Sequence, residues 1–189
     1  NQCRCYLCSL YKRYLYIGYP AKNFGGLGAA VKEDRIKLAI TMGDPAGIGA
    51  EIIVKALSHV EVYQKCIPIV IGDYEPLKDA IKFCHLPIEL REIHDVTEGQ
   101  GEFGRIDVIN MGYLERNSWE YKKNSALCGN ASFQYVVYGI KVAMEEKVQA
   151  VVTAPINKKS LNMAGHAYNG HTEIFAEYTG TKDFAMLLA

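Results

Sequence analysis

The chain holds 189 residues, 49% of them apolar and 22% charged, with 21 Lys plus Arg balanced by 21 Asp plus Glu. These are globular proportions, enough to bury a core in one domain or a large part of two. Zero net charge gives no support to a nucleic-acid or anionic-membrane surface, and no apolar run approaches the roughly 18 residues of a membrane span.

Residues 1–34 read as an extension outside the main fold, poorly ordered and dispensable. Tyr6, Tyr11, Tyr14, Tyr16 and Tyr19 crowd it, Lys12 and Arg13 break its apolar run, and Gly25, Gly26 and Gly28 loosen its end. A clean secretory apolar core does not form there. Cys3, Cys5 and Cys8 could hold a metal, but no fourth Cys or His lies near to close a tetrahedron. Cys66, Cys84 and Cys128 sit in periodic apolar segments and read as reduced, core-packed thiols of a cytoplasmic protein.

From Ile36 strand and helix patterns alternate over residues 35–189. Ile36 to Met42 reads as a strand, Ile48 to Leu57 as a helix, Ile67 to Ile71 as a buried strand and Tyr74 to Phe83 as a helix. Ile88 to Ile93 and Ile106 to Asn110 are shorter strand candidates around a loop containing Gly99, Gly101 and Gly104. A long helix is expected from Ser125 to Lys147, where Phe133, Val137, Ile140 and Met144 repeat on one face. Ala150 to Ala154 follows as a strand, Asn157 to Met163 and Thr172 to Tyr178 as short helices, and Phe184 to Leu188 as a last strand that stops in mid-pattern, as a truncated chain would. This alternation predicts an α/β fold with a largely parallel sheet.

Three segments fall beyond strand ends, where such folds place ligands. Thr41-Met42-Gly43-Asp44-Pro45-Ala46-Gly47-Ile48-Gly49 joins a strand to a helix start, whose free N–H groups favour anions. It carries neither a Walker Gly-Lys-Ser/Thr nor a third dinucleotide glycine, and from spacing alone a tight turn with Gly at positive φ accounts for it better. Thr153-Ala154-Pro155-Ile156-Asn157-Lys158 presents Asn157 and Lys158 at another helix start, where the lysine could hold a phosphate or simply be solvated. In Gly170-His171-Thr172-Glu173, Thr172 or His171 would cap a helix, leaving His171 open to donate to an anion.

Together, and in this order, Ile40-Thr41-Met42-Gly43-Asp44-Pro45-Ala46-Gly47-Ile48-Gly49 with Glu51, Thr153-Ala154-Pro155 with Asn157-Lys158, and Gly170-His171-Thr172-Glu173 resemble the N-terminal half of the 4-hydroxythreonine-4-phosphate dehydrogenase family. Ala50 departs from the proline usual there. The resemblance implies an isocitrate/isopropylmalate dehydrogenase-like fold and a homodimer. It also implies NAD- or NADP-dependent oxidation, with decarboxylation, of a 4-phosphorylated 3-hydroxy four-carbon acid, as in pyridoxal 5'-phosphate biosynthesis. It gives substrate binding to His171 and Thr172 and makes Asp44, Gly47, Asn157 and Lys158 active-site loop candidates. A divalent metal (Zn, Mg, Co or Mn) is implied, with histidine ligands beyond Ala189; none is assigned within this chain, His166 included, so the chain alone is expected to be inactive. His166-Ala167-Tyr168 looks more like the sibling branch acting on 4-phospho-D-threonate or 4-phospho-D-erythronate. A non-catalytic, phosphate-binding fragment is the reading from another class.

Overall fold

β-branched and aliphatic runs that alternate with amphipathic stretches assemble into one sheet with helices packed on it. The computed structural model describes residues 35–185 and the backbone of Tyr16–Gly18. The strands are β1 (Tyr16–Gly18), β2 (Ile36–Thr41), β3 (Cys66–Gly72), β4 (Glu89–Ile93), β5 (Arg105–Asn110) and β6 (Ala150–Thr153). The helices are α1 (Gly49–Ala56), α2 (Val60–Lys65), α3 (Tyr74–Phe83), α4 (Ala126–Met144), α5 (Lys158–Met163) and α6 (His171–Thr179), with a 3-10 turn at Val96–Glu98.

The strand order is β1-β6-β2-β3-β5-β4. The five strands from β6 to β4 are all parallel, and β1 adds antiparallel to the outside of β6, with Ile17 opposite Val151. β2 and β3 are buried on both faces along most of their length, which is why they read as continuous apolar runs rather than alternating ones. Leu38, Ile40, Ile69, Ile71, Ile106 and Val108 form the centre of the core.

Helix α4 lies across the sheet. Gly139 lets it approach so closely that an added Cβ would stand 3.0 Å from Thr41 Cγ2 and 3.2 Å from Val151 Cγ1. Ser125 caps α4 by accepting from the Cys128 N–H at 3.1 Å, and the helix ends at Met144 before the positive-φ residue Glu146. Gly129 brings α5 equally near, since its Cβ would fall 1.9 Å from the Ser160 carbonyl oxygen. One buried charge sits in the sheet: Asp107 accepts from Arg91 Nε at 2.7 Å and from the N–H groups of Gln100 and Gly101. That set of donors offsets the desolvation an isolated carboxylate would suffer.

Cys66 and Cys128 are buried, and Cys84 is half-buried; Cys3, Cys5 and Cys8 lie outside the described residues. No helix of the described residues is long and apolar enough to cross a membrane. Three short elements go beyond the sequence reading: α2, the turn at Val96–Glu98 and, within the expected extension, β1. The expected last strand is absent at Phe184 and Ala185, and its remaining residues lie outside the described ones.

Of the extension only β1 is described, and it contributes three residue pairs at the sheet edge. We propose that residues 1–34 remain dispensable for the α/β core. Deleting them is expected to lower the thermal midpoint by less than about 5 °C, the equivalent of roughly 1 kcal/mol in a domain of this size. A fall of ten degrees or more in a thermal melt would show that the extension packs on the core.

Candidate functional site

At β2 the strand order reverses: β3, the next strand in sequence, lies on one side and β6, the last, on the other. In open parallel sheets the crevice outside the carboxyl ends at such a point is where ligands bind. All three motifs converge on this crevice.

Ala154 joins them. Its N–H extends the ladder to the Thr41 carbonyl at 2.9 Å, and its own carbonyl faces the His171 imidazole. The β2–α1 loop docks on the same turn, because the Asp44 N–H donates to the Pro155 carbonyl at 2.9 Å. Gly43 permits this contact. Its φ is +73°, and a Cβ there would lie 2.3 Å from the Pro155 oxygen. The positive φ thus belongs to Gly43, whereas Gly47 is an exposed residue closing a turn through its N–H to the Asp44 carbonyl at 2.9 Å. Gly49 serves close packing, since a Cβ would meet the Met42 carbonyl at 2.0 Å.

Asp44 is buried. Its Oδ1 accepts from the Ala46 N–H at 2.8 Å. Burial raises its carboxyl above the ordinary carboxylate range, while the Ala46 N–H and the nearby Ser160 hydroxyl pull the other way. The carboxylate therefore shapes the loop from within. Asn157 is likewise occupied: Oδ1 caps α5 by accepting from the Lys159 and Ser160 N–H groups at 2.9 and 3.1 Å, and Nδ2 donates to Asn124 Oδ1 at 2.8 Å. Lys158 is exposed at the first position of α5.

His171 differs from these. It is the first residue of α6, so neither it nor Thr172 caps the helix; Gly170 holds that position, and its N–H donates to Glu173 Oε2 at 2.7 Å. Gly170 is fully extended, at φ 178°, and the carboxylate three residues on reaches back to its N–H. The residue is half-buried, its Nε2 is buried without a hydrogen-bond partner, and burial pushes its pKa down to about 4 against a weaker opposing effect of the Ala154 backbone. A neutral imidazole with an unsatisfied buried nitrogen is a group that a ligand oxygen would complete. Thr172 stands beside it, half-buried in the first turn of α6.

The sequence reading missed Asp73. At the end of β3 its buried carboxylate accepts from the Tyr135 hydroxyl at 2.8 Å and from the Tyr113 N–H at 3.1 Å. It thereby ties the chain after β5 to α4. Beside it a cleft of about 540 Å³ opens along the ends of β3, β4 and β5, with Tyr74, Glu92, Asn110 and Arg116 among its walls. No group of three or more His, Cys, Asp or Glu among the described residues could hold a metal ion. His166, the other histidine of the third motif, is engaged with α4: its Nε2 is 3.1 Å from Asn130 Oδ1 and its ring stacks on Phe133.

Residues 64–189 match the family model described as "Pyridoxal phosphate biosynthetic protein PdxA". The chain is 40% identical over 149 residues to a Fusobacterium nucleatum protein named "Putative D-threonate 4-phosphate dehydrogenase", covering 79% of this chain and 45% of that one. A protein of the same name from Oceanobacillus iheyensis is 42% identical over 153 residues, 80% of this chain and 46% of the relative. The crystal structure of a 4-hydroxythreonine-4-phosphate dehydrogenase from Burkholderia phymatum superposes with a TM-score of 0.76 at 40% identity, over 79% of this chain and 45% of that chain. The chain therefore spans a little under half the length of these relatives. With the α/β fold, the strand-end motifs and the matched residues in agreement, the chain belongs to the PdxA family.

Proposed function

We propose that this chain supplies the substrate-facing half-site of a nicotinamide-dependent dehydrogenase acting on a four-carbon hydroxy acid phosphorylated at C4. The observation that carries the reading is the unpartnered, buried Nε2 of His171, whose ring lies against Ala154 at the end of β6. With its Nδ1 proton directed to the Ala154 carbonyl, the neutral ring leaves Nε2 to accept one hydrogen bond at a fixed position, which suits a substrate hydroxyl. Thr172 adds a hydroxyl next to it. Asp44, Gly47 and Asn157 shape the loops around the anion, and Lys158 brings a mobile positive charge to the same edge.

D-threonate 4-phosphate is the favoured substrate over 4-hydroxythreonine 4-phosphate. The names of the Fusobacterium and Oceanobacillus relatives support it, as does the His166-Ala167-Tyr168 segment before the motif. The 4-hydroxythreonine substrate remains the second reading, favoured by the name of the Burkholderia structure. NAD or NADP as hydride acceptor, decarboxylation of the oxidised acid, a homodimer and a cytoplasmic setting belong to the same proposal. A divalent metal does too; the described residues do not converge as a donor set for it, and the family resemblance implies histidine ligands beyond Ala189.

In the full-length protein, His171→Ala is expected to weaken binding of the phospho-acid by about 1–3 kcal/mol, the cost of leaving a buried hydrogen-bonding group unpaired. Affinity for the nicotinamide cofactor should stay within twofold. Calorimetric titration with each phospho-acid and each nucleotide reads both; a change confined to the nucleotide would assign His171 to the cofactor instead.

A further inference from the structure

Between α5 and α6 the chain carries two aromatic residues that a purely connecting loop would not need. Gly165, at φ +85°, turns the chain away from α5, and the His166 N–H closes back on the Leu161 carbonyl at 3.0 Å. The His166 ring then lies on Phe133 of α4, centroids 3.7 Å apart and planes tilted by 17°. Its Nε2 is 3.1 Å from the amide oxygen of Asn130, one helical turn before Phe133. An amide oxygen only accepts, so Nε2 carries the proton of a neutral ring. Burial favours that neutral state by lowering the pKa of His166.

Two more rings meet the same phenylalanine. Tyr168 stacks on Phe133 at 5.6 Å, and Tyr178, on the last turns of α6, meets it edge-on at 5.8 Å. The segment 166–178 is thus held on one side chain of α4 near its start and at its end, with His171 between the holds. Aromatic pairs attract one another beyond the effect of their buried area, and several such contacts together select one loop conformation.

We propose that His166 and Tyr168, stacked on Phe133, are positioning residues for His171: they hold the Gly165–Gly170 loop so that the His171 ring stays packed against Ala154 with Nε2 turned to the crevice. This deepens the reading of His171 as the substrate-facing group and rests on it for its meaning, while its test needs neither substrate nor turnover. It also gives the His166-Ala167-Tyr168 segment a way to act on substrate preference without touching the substrate, through the placing of His171.

The test is an NMR titration of the histidine rings in the 189-residue chain. In the unmodified protein His171 is expected to titrate near pH 4 and to stay neutral above it. His166→Ala removes the stack and the Asn130 contact, and the His171 midpoint should rise by at least one pH unit as water reaches the ring. His166→Phe keeps the stack and should hold the midpoint within a few tenths of a unit of the original. Should His166→Ala fail to fold, Tyr168→Leu is read the same way. An unmoved His171 midpoint in folded His166→Ala or Tyr168→Leu protein would overturn the positioning role, whatever their loss of stability. A midpoint that rises equally in His166→Phe would overturn it as well, because stacking would not be what holds the ring. Failure of this titration leaves the phospho-acid reading intact, and failure of the His171→Ala binding test leaves the clamp intact.

Discussion

Gly43→Ala is expected to cost about 2–5 kcal/mol of unfolding free energy, combining the strain of a non-glycine residue in the left-handed region with overpacking against a neighbour that has little room to yield. The clash is with backbone. A Cβ at Gly43 would lie 2.3 Å from the Pro155 oxygen and 2.8 Å from that of Ala154. To relieve it the β2–α1 loop must lift away from the β6–α5 turn, breaking the Asp44 N–H contact to Pro155. The buried Asp44 carboxylate and the floor of the crevice would move with it. Gly47→Ala, four residues on, supplies the comparison. Gly47 is not in the left-handed region, and its Cβ would meet nothing nearer than the Asp44 oxygen at 3.2 Å. The expected cost there is under about 1 kcal/mol. Urea unfolding of both variants decides the matter; similar costs at the two positions would mean that the contact with the β6–α5 turn does not constrain the loop.

Between pH 6.5 and pH 4 the protein should lose about 2–3 kcal/mol of stability through His171 alone. The ring has a folded pKa of about 4 against an ordinary 6.5, and each pH unit of that difference is worth up to about 1.4 kcal/mol. The figure is reduced somewhat because the residue is not wholly shielded from solvent. A depressed folded pKa means that folding selects the neutral ring. Its contribution is complete above pH 6.5 and is lost as the pH falls through about 4, where the unfolded chain has already taken up its proton. Asp44 and Asp73 act in the opposite sense, since burial raises both carboxyl pKa values and their contribution fades as the pH rises. His171→Gln keeps a polar side chain that does not titrate, so subtracting its stability curve from that of the parent isolates the histidine. Parallel curves across this range would show that the ring is open to water in solution, and would remove the basis for reading its Nε2 as a ligand-seeking group.

The order of strands and helices was legible because burial leaves a local trace. Helix α3 matches its predicted span, Tyr74–Phe83, with Pro76, Leu77 and Ala80 on its buried side. Helix α2, with the sequence Val-Glu-Val-Tyr-Gln-Lys, is too short to establish a helical period and passes equally for alternation. The turn at Val96–Glu98 did have a signal, since Asp95 and Glu98 bond reciprocally across it as a capping box. In the site, each motif could be seen alone, but their convergence depends on β6 returning beside β2, which no local pattern encodes. Asp73 is the clearest case. Its partners Tyr113 and Tyr135 lie 40 and 62 residues further along, so nothing around the Gly72-Asp73 pair marks it as more than a turn.

The two borders of the sheet are treated differently, and this bears on how the protein keeps itself from associating wrongly. At one border β4 carries Glu89, Arg91 and Glu92 within five residues, with only Ile93 buried. A foreign strand laid against it would have to accommodate charged side chains on both faces, a standard deterrent to edge-to-edge growth. At the opposite border the three-residue β1 covers β6, whose sequence Ala-Val-Val-Thr carries no charge. There the backbone of Tyr16–Gly18 already occupies the pairing positions. A chain lacking those residues would offer β6 as a bare, uncharged template, and its first symptom would be precipitation during refolding rather than loss of native stability.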